Sequence, residues 1–115
     1  MKNTVHFALI CLLLAGWVAV GHTGEREVQK GNVEAQVDLK NLFSLCNYFW
    51  AKEGSNQNCE MKTSSELEYF FRHSRGVTII IVSGKSDEFI ARTSHADGDT
   101  VYSLDESGNI TEEPK

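Results

Sequence analysis

The chain lacks the residue spacings by which most catalytic and metal sites are recognised. It holds three cysteines and four histidines in 115 residues. No Cys-x-x-Cys pair occurs, which removes the common redox motif. His22, His73 and His95 lie too far apart in sequence for zinc-ligand spacing. No Gly-x-Ser-x-Gly elbow is present, and Ser94-His95 is an adjacency rather than a nucleophile with its base. An EF-hand needs Asp-x-Asp-x-Asp-Gly and a later glutamate, because carboxylates must encircle the ion. Here Gly98 stands between Asp97 and Asp99, so the register fails and ordinary turn chemistry remains. No catalytic residue, cofactor or metal is expected, and the chain is read as a non-enzyme.

Positive charge is also scarce. Eleven Lys and Arg face 16 Asp and Glu, for a net charge of −5, and the two signs are interspersed. Nucleic-acid backbones and anionic lipid surfaces both select basic surfaces, so neither is an expected partner. The one dense basic spot is Arg72-His73-Ser74-Arg75.

A phosphate loop is missing too, although its ending is present. The β-branched run 77–82 is followed by Gly84-Lys85-Ser86. The motif requires a glycine five residues before that Gly, so that backbone amides can ring the phosphates. Ile79 occupies the position, and the stretch after Ser86 alternates like a strand instead of opening a helix. A hairpin turn is the better reading.

What is present begins with the leader. Lys2 precedes a mostly apolar run over 5–20, and small residues stand at Ala19 and Gly21. These are the parts of a secretory signal peptide, with cleavage expected after Gly21. The run is too short for a transmembrane anchor, which needs roughly 20 apolar residues. Glu25-Arg26-Glu27 follows it in place of a basic stop-transfer flank, so no stable membrane anchoring is expected. Removal of 1–21 leaves 94 residues and takes Cys11 away, so Cys46 and Cys59 remain as an even pair. In an oxidising compartment they are expected to bond. The loop model assigns about 3 kcal/mol to a closure of this length. A chain this small needs that help.

The mature chain reads as a flexible arm over 22–32, one small secreted domain over 33–110 and a disordered tail over 111–115. Val33, Ala35 and Val37 alternate, which suggests a short strand. Leu39, Leu42, Phe43, Leu45, Cys46, Phe49 and Trp50 recur at helical spacing. Asp38 suits the N-cap and Gly54 the left-handed stop, so a helix is predicted over about 39–52. Ser65-Glu66-Leu67-Glu68 matches a capping box for a second, short helix over 66–74. A strand using Leu67, Tyr69 and Phe71 is the alternative there. Strands are predicted over 77–82, 88–93 and 100–104, with Asp97-Gly98 as a hairpin turn. Because 77–82 is apolar on both faces, it is expected at the centre of the sheet or under a helix. The fold class is α+β: helix on a three-stranded antiparallel meander, one disulfide.

Two aromatic trios, Tyr48-Phe49-Trp50 and Tyr69-Phe70-Phe71, cannot each turn wholly to one core. Tyr48 and Tyr69, with Arg72 and Arg75, form the candidate binding surface. Asn109-Ile110-Thr111 is a glycosylation acceptor. The expected function is that of a secreted, monomeric effector that binds an extracellular protein, as venom, salivary and defence polypeptides do. A carrier of a small hydrophobic ligand and an inhibitor presenting the loop 54–58 are the alternatives.

Overall fold

A computed structural model describes residues 2–60 and 73–115, with side chains described from residue 24 onward. Helix α1 spans Lys2–Glu53. Among the described residues four strands follow it: β1 (Val77–Ser83), β2 (Ile90–His95), β3 (Thr100–Leu104) and β4 (Ile110–Pro114). They form one antiparallel sheet in the order β1-β2-β3-β4. The helix lies on one face of that sheet, and the predicted architecture stands with one more strand than expected.

The packing follows from two periods. Along α1 the buried positions are Gly31, Ala35, Asp38, Leu39, Leu42, Cys46 and Trp50, a stripe at helical spacing. On the sheet the period is two. Ala91, Thr93 and His95 of β2 and Tyr102 and Leu104 of β3 turn inward and are buried. Phe89, one residue before β2, continues that alternation and is fully buried. Its ring sits between Phe43 at 5.7 Å and Trp50 at 5.2 Å, the latter edge-on. Edge-to-face contact of this kind adds about 0.5–1.5 kcal/mol to the area buried. Thr93 donates its hydroxyl to the Ala35 carbonyl at 2.8 Å, so this polar member of the inner face is satisfied.

Four expectations are corrected. First, the helix does not start at residue 39. Residues 24–37 belong to it, including the stretch read as a flexible arm and the stretch read as a short strand. Val33, Ala35 and Val37 do alternate, yet Ala35 alone of the three is buried, in series with Gly31 and Leu39. Three residues cannot separate the two periods; seven can. Gly31 had suggested flexibility. It is instead the point where α1 crosses His95, and a Cβ there would lie 2.8 Å from the imidazole Nδ1.

Second, Asp38 is not a cap of its own helix. It sits mid-helix, nearly fully buried, and its carboxylate accepts from the Ser74 amide at 2.5 Å and the Ser74 hydroxyl at 3.2 Å. Third, of the two places expected for 77–82, the centre of the sheet is not the one taken: among the described residues β1 is an edge strand, and its inner face lies under the helix. Val77, Ile79 and Ile81 face the helix side, while Ile80 and Val82 lie on the exposed outer face. Fourth, the residues read as a disordered tail form most of β4. Leu104 pairs with Ile110 and Thr100 with Pro114. The last residue is pinned as well: the Lys115 amide donates to the Asp99 carbonyl at 2.8 Å, and its Nζ donates to the His95 carbonyl at 2.7 Å. Glutamates and a terminal proline are what an edge strand tolerates, because its outer groups meet water.

The predicted helix over 66–74, with its strand alternative, lies almost wholly outside the described residues; only 73 and 74 fall within them, outside any helix or strand.

Candidate functional site

Among the described residues three clusters tie the helix to the sheet, and the outward side of α1 over 24–53 takes part in none of them. The first is the disulfide. Cys46 and Cys59 are bonded at S–S 2.12 Å with their Cα atoms 5.6 Å apart. The bridge closes the exposed loop 54–58 against the end of β1. Gly84 is the hub of this contact. Its carbonyl accepts from the Cys59 amide at 2.8 Å and from the Trp50 indole at 3.0 Å, and the same indole also reaches the Gln57 carbonyl at 3.1 Å. A Cβ on Gly84 would stand 2.5 Å from the Cys59 carbonyl oxygen. The Gly84-Lys85-Ser86 sequence thus owes its glycine to close backbone approach. It presents a carbonyl to donors, the opposite polarity from a phosphate cradle, and the Ser86 amide is used by the Ser55 carbonyl at 3.2 Å.

The second cluster is centred on His95, which is buried between two glycines. Gly76, at φ +87°, approaches other atoms of the ring than Gly31 does, and a Cβ there would be 2.9 Å from Nε2. The Asp97 amide donates to Nδ1 at 3.0 Å. This assigns the proton to Nε2, which faces the Arg75 carbonyl at 3.0 Å and a Glu34 carboxylate oxygen at 3.1 Å. Both ring nitrogens are therefore engaged. Asp99 is held separately: it accepts from the Asn32 side-chain amide at 2.8 Å and from the Thr100 hydroxyl at 2.8 Å. The Asn32 bond first, and the Thr100 bond second, lower its carboxyl below the ordinary value. His95, Asp97 and Asp99 do not converge, and among the described residues no three ligating side chains are placed to hold an ion.

The third cluster is the Asp38–Ser74 contact, which fixes the chain just before β1. Arg75 follows it with an exposed side chain, its backbone carbonyl committed to His95. Tyr69 and Arg72, the other predicted surface residues, lie outside the described residues. Asn109 closes the β3–β4 turn and is exposed. Asp105 organises this turn, its carboxylate accepting from the amides of Ser107 at 2.9 Å and Asn109 at 3.0 Å.

Tyr48 stands where the sequence suggested, on the solvent side of α1, and is 58% exposed. The neighbours it has there were not anticipated. Val33 is 57% and Val37 47% exposed on the same outward side. Their spacing to one another is i, i+4, a signal hidden by reading 33–37 as a strand. A second apolar patch, Ile80, Val82 and Ile90, lies on the outer face of the sheet.

No protein-family model matches the chain, and no curated protein matches it. Among the described residues, no helix is long and apolar enough to cross a membrane.

Proposed function

We propose that this is a small secreted polypeptide that acts by binding another protein and has no catalytic activity of its own. The observation that carries the binding reading is Tyr48, a large aromatic presented to solvent from a rigid helix, with Val33 and Val37 exposed further along the same side. Aromatics held this way are the usual anchors of protein recognition, since they lose little side-chain entropy on contact. The Cys46–Cys59 bridge supports export, because such bonds persist in oxidising compartments. In this reading residues 1–21 are removed and Asn109 carries a glycan, for which its exposed turn position is suited.

The inhibitor reading retains one observation in its favour: the loop 54–58 is exposed except for its anchor at Cys59. The space between helix and sheet is filled by Leu39, Leu42, Phe89 and Leu104, which lends no support to a carrier.

The test is expression of the full chain in eukaryotic cells, with analysis of the medium. The account expects a product whose amino terminus lies near His22 and which shows equal ligand-free mass under native and denaturing conditions. It also expects no slowing of a protease panel at micromolar concentration. Retention inside the cell with an intact leader would refute export, a co-purifying lipid would favour the carrier, and protease inhibition would favour the loop.

A further inference from the structure

The helix has two polar faces of different character. Between residues 28 and 52 it contains only two acids, Glu34 and Asp38. Neither is presented on the outward side: Glu34 is turned to His95 at 3.1 Å, and Asp38 is buried against Ser74. The three cations of the same stretch, Lys30, Lys40 and Lys52, are all exposed. Val33, Val37 and Tyr48 are exposed among them. The sheet half is the reverse: residues 73–115 hold eight acids against four Lys and Arg. Among the described residues the helix therefore presents a locally cationic strip with apolar members, about 22 Å long from Val33 to Tyr48 at 1.5 Å per residue.

We infer that the outward face of α1 is the binding face, and that its partner is an acidic protein segment bearing apolar side chains. This inference rests on the protein-binding reading above and specifies its surface and chemistry. Val33, Val37 and Tyr48 supply apolar contact one to several turns apart, the pattern by which a helix is read by a complementary groove or a second helix. Lys30, Lys40 and Lys52 bracket those contacts and select carboxylates at the rim, which governs orientation and association rate more than affinity. The net negative charge of residues 73–115 disfavours the same partner on the sheet half, so docking on the helix is favoured. A lipid surface is the lesser fit. Three lysines, each worth about 1 kcal/mol near an anionic membrane, oppose the repulsion of the eight acids on the sheet half.

The probe is a phage-displayed random peptide library, selected on the oxidised protein collected from the medium of expressing cells. Vesicles of phosphatidylserine and phosphatidylcholine in equal parts form a second arm. The variants are Val37→Asp, Tyr48→Ala and Lys40→Glu, all at exposed positions, with Ile80→Ser on the sheet's outer face as control. The expected result is enrichment of peptides rich in Asp and Glu with interspersed aliphatic or aromatic residues. Binding of those peptides should fall about tenfold or more in Val37→Asp and Tyr48→Ala, the size of one hot-spot residue. It should fall in Lys40→Glu in a salt-dependent way and hold within about twofold in Ile80→Ser. Peptides that bind all three face variants undiminished would overturn the assignment of this face and leave the protein-binding reading standing. Failure to select any peptide, with or without vesicle binding through these residues, would overturn both.

Discussion

Asp38 offers the sharpest test of how the helix is placed. Its carboxylate is nearly fully buried and accepts two hydrogen bonds from Ser74, 36 residues away in the chain. Asp38→Ala removes both acceptors and strands the Ser74 amide. Hydrogen bonds to a charged partner contribute about 1.5–3 kcal/mol, and an orphaned donor costs about 1–3 kcal/mol. A loss of about 2–3 kcal/mol is expected, set against a total of about 5–14 kcal/mol for a domain of this size. Asp38→Ser separates the two placements of the residue. Serine is as good an N-cap as aspartate, so a helix starting at residue 39 would tolerate it. In mid-helix the serine hydroxyl is too short to reach Ser74, and the loss should match that of alanine. Ser74→Ala removes only the longer bond and should cost about 1 kcal/mol or less. In the double variant Asp38→Ala/Ser74→Ala the losses should not add, because one contact is being removed twice. The assay is urea unfolding of the oxidised chain, followed by Trp fluorescence. Asp38→Ser within about 0.5 kcal/mol of the parent, the range of an ordinary surface change, would refute the reasoning.

Three further outcomes follow from the other contacts. Cys46→Ser/Cys59→Ser should lower stability by about 3 kcal/mol at equilibrium, read from urea unfolding with midpoint and slope both fitted, since the uncrosslinked chain exposes more surface when unfolded. Gly84→Ala should destabilise more than Gly54→Ala, although Gly54 has the positive φ of 115°: a Cβ at Gly84 meets the Cys59 backbone at 2.5 Å, whereas at Gly54 the nearest atom is a Gln57 side-chain carbon at 3.9 Å. Thermal unfolding of both variants decides this. The Tyr102 phenol is raised above its ordinary value, first by burial and then by Glu112, which pairs with it across the strands. A raised folded-state value means that its contribution is fully present below about pH 10, the unfolded value, and is lost as pH rises through the folded one. Tyr102→Phe should flatten that alkaline decline in a stability titration.

Much of the fold was legible, for reasons that can be located. Leu39, Leu42, Cys46 and Trp50 hold a helical period long enough to exclude a strand. Phe89, Ala91 and Thr93 hold a period of two, and all three are buried as that period requires. Thr100–Leu104 lies between two strong turn signals and was bounded correctly. The bridge followed from counting. The N-terminal reach of α1 was not legible because its inner stripe there is Gly31 and Ala35, residues without enough apolar mass to mark a face. They are small because Gly31 rides on the His95 ring. The fourth strand was hidden because its stability lies in distant partners: the register with β3 and the Lys115 contacts to His95 and Asp99. The edge position of β1 was misread because its outward residues, Ile80 and Val82, are as apolar as its inward ones. Of the candidate surface, Tyr48 was visible as an aromatic too many for one core. Val33 and Val37 became visible only once the helix extended beneath them.

The most direct measurement on the whole account is the thiol state of the exported chain. Full-length protein is expressed in eukaryotic cells, recovered from the medium, denatured and alkylated before mass analysis and digestion. The account predicts a chain lacking its first 21 residues, with no alkyl label added and a single cross-linked fragment joining Cys46 to Cys59. A secreted chain that retains the leader, or one that takes up two labels, would contradict it.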